Sequence, residues 1–254
     1  MSSATLRQQK ILDLVNRKKK VRVSDLTRDM QVSSVTIRKD LNRLEEQNLL
    51  RHSHGYATLP DSEDIGERMM EDFSPKMRIA RKAAGLVSDG ETIMVESGSA
   101  CALFVRELAR LKKDVMVITN SAYIAGFVRH EEGVRITLLG GEYQKDSQAM
   151  VGPMVRKNAQ SFYVHSFFIG TDGYTDESGF MARDYMRNEA IHDMAAQADQ
   201  VIVLTDSSKF SHGSLVRILP ERKVDMVITD GEIDDQARVS LARRGIELLE
   251  ADPA

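Results

Sequence analysis

The sequence of 254 residues contains one cysteine, Cys101, and no tryptophan. A single cysteine excludes an intrachain disulfide and a cysteine-rich zinc site, and its scarcity fits a reducing compartment. No run approaches the roughly 18 apolar residues that cross a bilayer. The opening stretch MSSATLRQQKILDLVNRKKK lacks the apolar centre of a signal peptide. A cytoplasmic protein with no membrane partner is therefore expected. Also missing are a P-loop, a dinucleotide-binding GxGxxG, an HExxH and a nucleophile elbow. Glu189 and His192 form one Glu-x-x-His pair, but a di-metal centre needs a second pair and further carboxylates. No catalytic residue, cofactor or metal site is expected. Cys101 reads as a small buried side chain, although a helix start lowers a thiol's pKa.

Charge is present in quantity and is unevenly placed. Residues 1–58 carry 12 Lys+Arg against 6 Asp+Glu, a balance of +6. The remainder carries 23 against 32, or −9, which together give the net charge of −3. A basic head on an acidic body concentrates attraction for a polyanion at one end.

Within that head, VSSVTIRKDLNRLEEQ (32–47) places Ile37, Leu41 and Leu44 at helical spacing. Its other face presents Ser34, Thr36, Arg38, Lys39, Asn42 and Arg43. Two readings suit such a face: a solvated amphipathic helix, or a helix whose polar side lies in a DNA major groove. Upstream, residues 5–17 bring Leu6, Ile11, Leu14 and Val15 to one side, and Ser24 suits the N-cap of DLTRDM. After a turn at Gln31 and Val32, Ser33 caps the third helix. Two short helices joined by a tight turn, over about residues 20–39, form a helix-turn-helix pattern. Behind them Leu49–Arg51 and Tyr56–Leu59 read as strands of a wing turning near His54 and Gly55. Arg51, His52 and His54 suit contact with the phosphate backbone. Arg38 and Lys39 have the chemistry to read guanine edges, while Ser33, Ser34, Thr36, Asn42 and Arg43 suit phosphate or base contact. Major-groove recognition accounts best for this polar face.

Residues 59–73 are acidic, lack a strong apolar stripe and read as a linker, with room for a helical turn, between a head at 3–58 and a body at 74–254. Ser74 and Pro75 open a helix that runs towards Gly90. From Thr92 onward, apolar runs at 92–96, 115–119, 135–140, 166–170, 201–205 and 226–229 alternate with helical patterns. These predict an α/β body with a mainly parallel sheet covered on both faces. Ligands of such sheets bind beyond the carboxyl ends of the strands. The residues found there are Glu96-Ser97-Gly98-Ser99, Asn120-Ser121, Gly140-Gly141, the loop holding Asp172, and Asp206-Ser207-Ser208-Lys209. A Gly/Ser turn entering a helix offers free N–H groups to an anion. Each loop alone also suits a plain tight turn; together they predict a site for a small phosphorylated, hydroxyl-rich ligand.

These motifs carry a resemblance. VSDLTRDMQVSSVTIRKDLNRLEEQNLLRHSHGYA resembles the winged helix-turn-helix head of the DeoR family of bacterial transcription regulators. The family's TIR-basic-DL..LE core stands here as Thr36-Ile37-Arg38-Lys39-Asp40-Leu41 followed by Leu44-Glu45. Its R.HGGA wing ending is altered, with Tyr56 in place of a glycine. In the body, the D.GTT loop corresponds to Glu96–Ala100, TNS to Thr119–Ser121, and LGG to Leu139–Gly141. Further on, Gly152-Pro153, Phe168–Gly179, Glu189-Ala190 and DSSKF at 206–210 follow the family pattern. Glu96 replaces the usual Asp, and Gly98-Ser99-Ala100 replaces Gly-Thr-Thr, removing one hydroxyl.

The resemblance implies a body similar in fold to ribose-5-phosphate isomerase and glucosamine-6-phosphate deaminase. It further implies a repressor of operator DNA relieved by a phosphorylated sugar. Glu96, Ser97, Gly98, Ser99, Asn120, Ser121, Gly140, Gly141, Asp172, Glu189 and Lys209 are its expected effector residues. A homodimer or homotetramer is expected, since paired recognition helices match paired half-sites. The alternative is a sugar-phosphate isomerase or deaminase with an accessory basic head, in which Asp172, Glu177 or Glu189 serves as base.

Overall fold

The computed structural model describes residues 3–18, 20–46, 50–53, 55–58, 64–219 and 224–251. The chain divides into two compact units, Met1–Ser62 and Glu63–Ala254.

The first unit runs α1 (Ser3–Lys18), β1 (Lys20–Arg22), α2 (Val23–Met30), α3 (Ser34–Glu46), β2 (Arg51–Ser53) and β3 (Tyr56–Thr58). Its core gathers Ile11, Val15, Leu26, Ile37, Leu41, Leu44 and Leu50, all at most 2% exposed. Each such side chain contributes about 1.5–3 kcal/mol of burial. Leu6, expected on this buried face, is 49% exposed, one turn beyond the reach of the small core. Ser33 caps α3 as expected, its Oγ accepting the Thr36 N–H at 3.2 Å. Ser24 does not cap α2: that helix starts at Val23, with Arg22 at the N-cap and no side-chain bond. The chain enters α2 straight from a strand, since β1 pairs with β3 and β3 with β2, all antiparallel. A three-residue strand with only Val21 buried is too short to announce itself by periodicity. Gly55, at φ +79°, supplies the left-handed backbone of the hairpin turn. Leu49, His54 and Leu59 lie outside the described residues.

The second unit opens with α4 (Ile65–Met70) and α5 (Phe73–Ala84), followed by β4 (Thr92–Val95), α6 (Ser99–Leu111), β5 (Val115–Thr119), α7 (Ala122–Phe127) and β6 (Val134–Leu138). A hairpin of β7 (Glu142–Gln144) and β8 (Ala149–Val151) leads through α8 (Pro153–Ala159) to β9 (Val164–Ile169). Then come β10 (Gly173–Thr175), β11 (Gly179–Ala182), α9 (Tyr185–Ala195), β12 (Ala198–Leu204), a 3-10 turn at Ser207–Ser211 and β13 (Val216–Arg217). The unit closes with β14 (Met226–Asp230), α10 (Asp235–Arg243) and β15 (Glu247–Ala251). Seven strands form one parallel sheet in the order β15-β14-β12-β9-β4-β5-β6. Successive side chains point to opposite faces. Ile93, Val95 and Val117 accordingly join a layer with α5 and α6, while Met94, Phe167 and Val203 join one with α8 to α10.

Three features depart from the expectations. Residues 65–70, read as linker with room for a helical turn, form a six-residue helix whose first turn is capped by Asp64 and whose Ile65 is 1% exposed. A helix of six residues has too few positions to show an apolar stripe. The helix expected to open at Ser74-Pro75 and run towards Gly90 instead spans Phe73–Ala84, with Asp72 at its N-cap. An additional strand, β15, closes one edge of the sheet; only Ala251 of its five residues is buried, so it lacks the apolar run of the central strands.

The strand order locates the candidate site. The chain leaves β4 for β5 and β6 on one side, then returns to β9 on the other and proceeds to β12, β14 and β15. Between β4 and β9 the direction of winding reverses, and the loops leaving their carboxyl ends part company. Such a switch point opens a crevice.

Candidate functional site

On the first unit, Ser33, Ser34, Arg38, Lys39, Asn42 and Arg43 are exposed along α3, whereas Ile37, Leu41 and Leu44 are buried. Thr36 is half-buried, its hydroxyl 2.9 Å from that of Ser33. Asp40, between the exposed Lys39 and the buried Leu41, faces inward at 5% exposure. It pairs with Arg7 and accepts from Gln8 Nε2 at 3.0 Å, which ties α1 to α3. The arginine's pKa is raised by that hydrogen bond. One helix thus carries an anchoring carboxylate and a free basic face side by side.

At the wing, Arg51 and His52 are half-buried. His52 is engaged inside the unit, its Nδ1 2.7 Å from Glu45 Oε2 and its backbone N–H bonded to Glu45 Oε1 at 3.1 Å. Tyr56, the residue that departs from the family's glycine, organises two cations. Lys20 Nζ lies 4.6 Å from its ring centroid, and Arg22 Nε donates to its hydroxyl at 3.0 Å. In the sequence neither Lys20 nor Arg22 stands out from the general basic balance of the head.

On the second unit, the crevice between β4 and β9 is a polar cleft. Its wall includes Glu96, Gly98, Ser99, Asp172 and Lys209 from the expected set. The two turns at its floor are joined through Glu96. Its Oε2 accepts the N–H groups of Gly98 (2.8 Å) and Gly170 (3.2 Å), and its Oε1 accepts the Ser97 hydroxyl at 2.9 Å. The approach is close enough that a Cβ on Gly98 would stand 2.9 Å from Glu96 Oε2 and 3.4 Å from the Gly170 Cα. Glu96 and Ser97 therefore hold the loop together. The first turn of α6 has no side-chain cap, so its N–H groups and the Ser99 hydroxyl remain for an anion.

Four basic side chains border the cleft: Arg68, Lys76, Arg187 and Lys209. Only Lys209 was anticipated. Asp172 accepts from Arg68 at 2.5 Å and from the Arg183 N–H at 3.0 Å. Burial pushes its carboxyl up, but Arg68, Arg183 and Arg187 outweigh this and hold it below the ordinary value. Asp206 behaves alike, burial being outweighed by Lys209, Lys76 and the Ser208 hydroxyl. Lys76 is 5% exposed and donates to the carbonyls of Arg68 and Glu71, each at 2.7 Å. Burial lowers its pKa to about 8, against the pull of Asp206.

The other expected residues stand elsewhere. Asn120 is bonded to Met150 O at 3.0 Å, and Ser121 caps α7 through the Ile124 N–H at 3.1 Å. Gly141 is where the chain passes Val151, a Cβ there meeting its carbonyl at 2.6 Å, and Gly140 accepts from Asn158. These loops follow β5 and β6, on the far side of the switch point from β9 and β12. Glu189 lies on α9 near Arg156, while Arg187 and Ile191 of the same helix line the cleft. Cys101 is fully buried and its thiol is pushed well above its ordinary value, by burial first and then by Glu96. That removes the lowered pKa suggested by its place at a helix start. Among the described residues no cluster of His, Cys, Asp and Glu suits a metal ion, and no helix is long and apolar enough to cross a membrane.

Two family models match the chain. Residues 7–63 match the DeoR-like helix-turn-helix domain, and residues 71–231 match the DeoR C terminal sensor domain. The HTH-type transcriptional repressor GlcR of Bacillus subtilis is 31% identical over 94% of this chain and 93% of its own. The glycerol-3-phosphate regulon repressor of Escherichia coli K12 is 28% identical over 89% of this chain and 90% of its own. Among solved structures, ribose 5-phosphate isomerase A of Methanocaldococcus jannaschii aligns with 55% of this chain and 54% of its own, at 23% identity and a TM-score of 0.39.

Proposed function

Because the chain belongs to the DeoR family of DNA-binding transcription regulators, and is a regulator rather than an enzyme, we infer that it is a repressor whose hold on operator DNA is set by a phosphorylated sugar bound between β4, β9 and β12. The observation that carries the effector class is the cleft itself. Arg68, Lys76, Arg187 and Lys209 surround the uncapped start of α6, where charge-assisted bonds and backbone N–H groups suit a phosphate. Asp172 at the same wall suits sugar hydroxyls. The names of relatives support this reading, since one represses a glycerol-3-phosphate regulon and another a lactose phosphotransferase system.

On the first unit, the exposed face of α3 enters the major groove, with Arg38 and Lys39 reading base edges and Ser33, Ser34, Asn42 and Arg43 meeting phosphates or further bases. Arg51, Lys20 and Arg22 follow the backbone at the wing. The protein works as a homodimer or homotetramer in the cytoplasm, so that two such helices meet two half-sites.

The test begins by enriching bound fragments from genomic DNA and then measuring anisotropy of the enriched operator. Ribose 5-phosphate, glucosamine 6-phosphate and glycerol 3-phosphate are compared with their unphosphorylated forms. One ester should release the operator and stabilise the protein, by ~2.7 kcal/mol at ~100 times its dissociation constant. Equal effects of esters and unphosphorylated compounds would remove the phosphate from the reading; enrichment of no sequence would remove the operator.

A further inference from the structure

The cleft is occupied from within by a side chain of the helix that opens the second unit. Arg68 projects from α4 and donates to Asp172 Oδ1 at 2.5 Å; the two side chains are 15% and 10% exposed. Beneath it, Lys76 bonds the carbonyls of Arg68 and Glu71 and thereby holds the end of α4 to α5. The start of α4 is fixed separately, by the Ile65 N–H on Asp146 O at 3.2 Å. The cleft is narrow: only about 40 Å³ of it admits the centre of a water molecule. A phosphate seated deep in it displaces some part of the wall.

Charge identifies which part. Four basic side chains face four carboxylates here, Glu71, Glu96, Asp172 and Asp206. Glu96 is satisfied by backbone N–H groups and a hydroxyl, and Asp206 by Lys209, Lys76 and Ser208. Asp172 depends chiefly on Arg68, followed by Arg183. An entering dianion competes with Asp172 for the guanidinium, which bonds two phosphate oxygens as readily as a carboxylate. A sugar hydroxyl can then donate to the Asp172 oxygen that Arg68 leaves.

We propose that the effector's phosphate takes Arg68 away from Asp172, and that the resulting release of α4 is the movement by which the cleft controls the head. This rests on the effector reading above. Residue 64, where α4 is capped, follows directly on the segment that joins the two units. Once Arg68 leaves Asp172, α4 is held by one tie fewer, the Ile65–Asp146 and Lys76 bonds remaining, so the attachment of the segment that leads to the head is loosened. Arg68 is a positioning residue in this scheme as well as a phosphate ligand. It couples the sites because its two partners exclude one another.

The experiment is amide hydrogen exchange of the full chain over residues 64–72, with and without whichever of ribose 5-phosphate, glucosamine 6-phosphate and glycerol 3-phosphate most raises the melting temperature. Wild type should exchange at least tenfold faster in this segment when that ester is bound. Arg68→Gln should exchange as fast without ester and gain nothing from it, and its operator affinity should move in the same direction as the ester moves that of wild type. Arg68→Lys, which keeps the charge but not the fork, should fall between. A bound ester that leaves the exchange of 64–72 unchanged or slower overturns the coupling and leaves the effector site standing. Should no ester raise the melting temperature, the effector reading fails and takes the coupling with it. The wild-type measurement decides the matter even if a variant does not fold.

Discussion

The carboxylate of Glu96 accepts the backbone N–H of Gly170, 3.2 Å away and 74 positions on in the chain. With the Gly98 N–H on the same oxygen, it pins together the two turns that diverge at the switch point. This side chain is one methylene longer than the Asp usual in the family. Glu96→Ala should leave both N–H groups without their acceptor, costing about 1–3 kcal/mol for each. Urea unfolding of the second unit measures this. Operator affinity in the absence of ester should be unchanged; a fall in operator affinity equal to that of an α3 variant would show that Glu96 does more than hold the loops.

Lys39 and Asp40 are neighbours in sequence with opposite tasks. The double variant Arg38→Ala/Lys39→Ala removes two exposed cations and should fold as wild type. It should lose roughly 1–3 kcal/mol of operator binding per base contact. Asp40→Ala instead deprives Arg7 and Gln8 of their partner and should destabilise the head by about 1–3 kcal/mol. Circular dichroism melting beside anisotropy separates the two. Equal melting of all variants would dismiss the anchoring role of Asp40, and undiminished binding by the double variant would dismiss the recognition face.

Tyr56→Gly restores the residue usual in the family and removes the platform on which Lys20 and Arg22 rest. Those contacts are exposed, and the ring is worth about 0.5–1 kcal/mol to each cation. Affinity should fall by the same factor for operator and for unrelated DNA, because the wing follows phosphates and not base edges. The slope of affinity against salt should stay near its wild-type value, since no cation is lost. A selective loss for the operator alone would place Tyr56 at a base.

The parallel strands were legible because strands buried on both faces read as unbroken apolar runs, as in VMVIT and VIVLT. Their order was not, because order depends on which loops cross over, and loops carry no periodic signal. Five strand ends looked equally suited to one ligand; those of β4, β9 and β12 line one cleft, while Asn120 and Gly141 stand apart from it among local contacts. Arg68 lay in a stretch read as linker. Lys76 did leave a sign: with Ile79, Ala80 and Ala83 it occupies one face at i, i+3, i+4 and i+7, a lysine on the apolar side of its helix. A charge in that position is held there by partners, and here the partners belong to the cleft.

Lys209→Ala should spare the head and remove a cation from the cleft. Operator affinity without ester should match wild type, while the ester concentration needed to release the operator rises at least tenfold. In cells where the protein represses, this variant holds its genes off in the presence of inducer. Release at the wild-type concentration would show that Lys209 serves Asp206 alone.

The pH dependence of effector binding should report on Lys76. Its pKa is lowered to about 8 by burial, from an ordinary 10.5. Between those values the unfolded chain binds a proton that the folded one does not, so this group makes the folded state gain stability as pH rises from about 8 towards 10.5. The ester has the opposite preference. A dianion beside Lys76 favours the ammonium, so affinity should be constant below pH 7 to 8 as far as Lys76 is concerned, then fall by up to tenfold per pH unit above 8. Thermal unfolding at pH 7, 8, 9 and 10, each with and without the ester, follows both trends at once. The ester-induced rise in melting temperature should shrink across this range. In Lys76→Arg the side chain stays charged throughout, so the ester-induced rise should hardly change with pH. A wild-type response that stays flat to pH 10 would mean that the phosphate does not sense this ammonium, and would restrict Lys76 to holding α4 against α5.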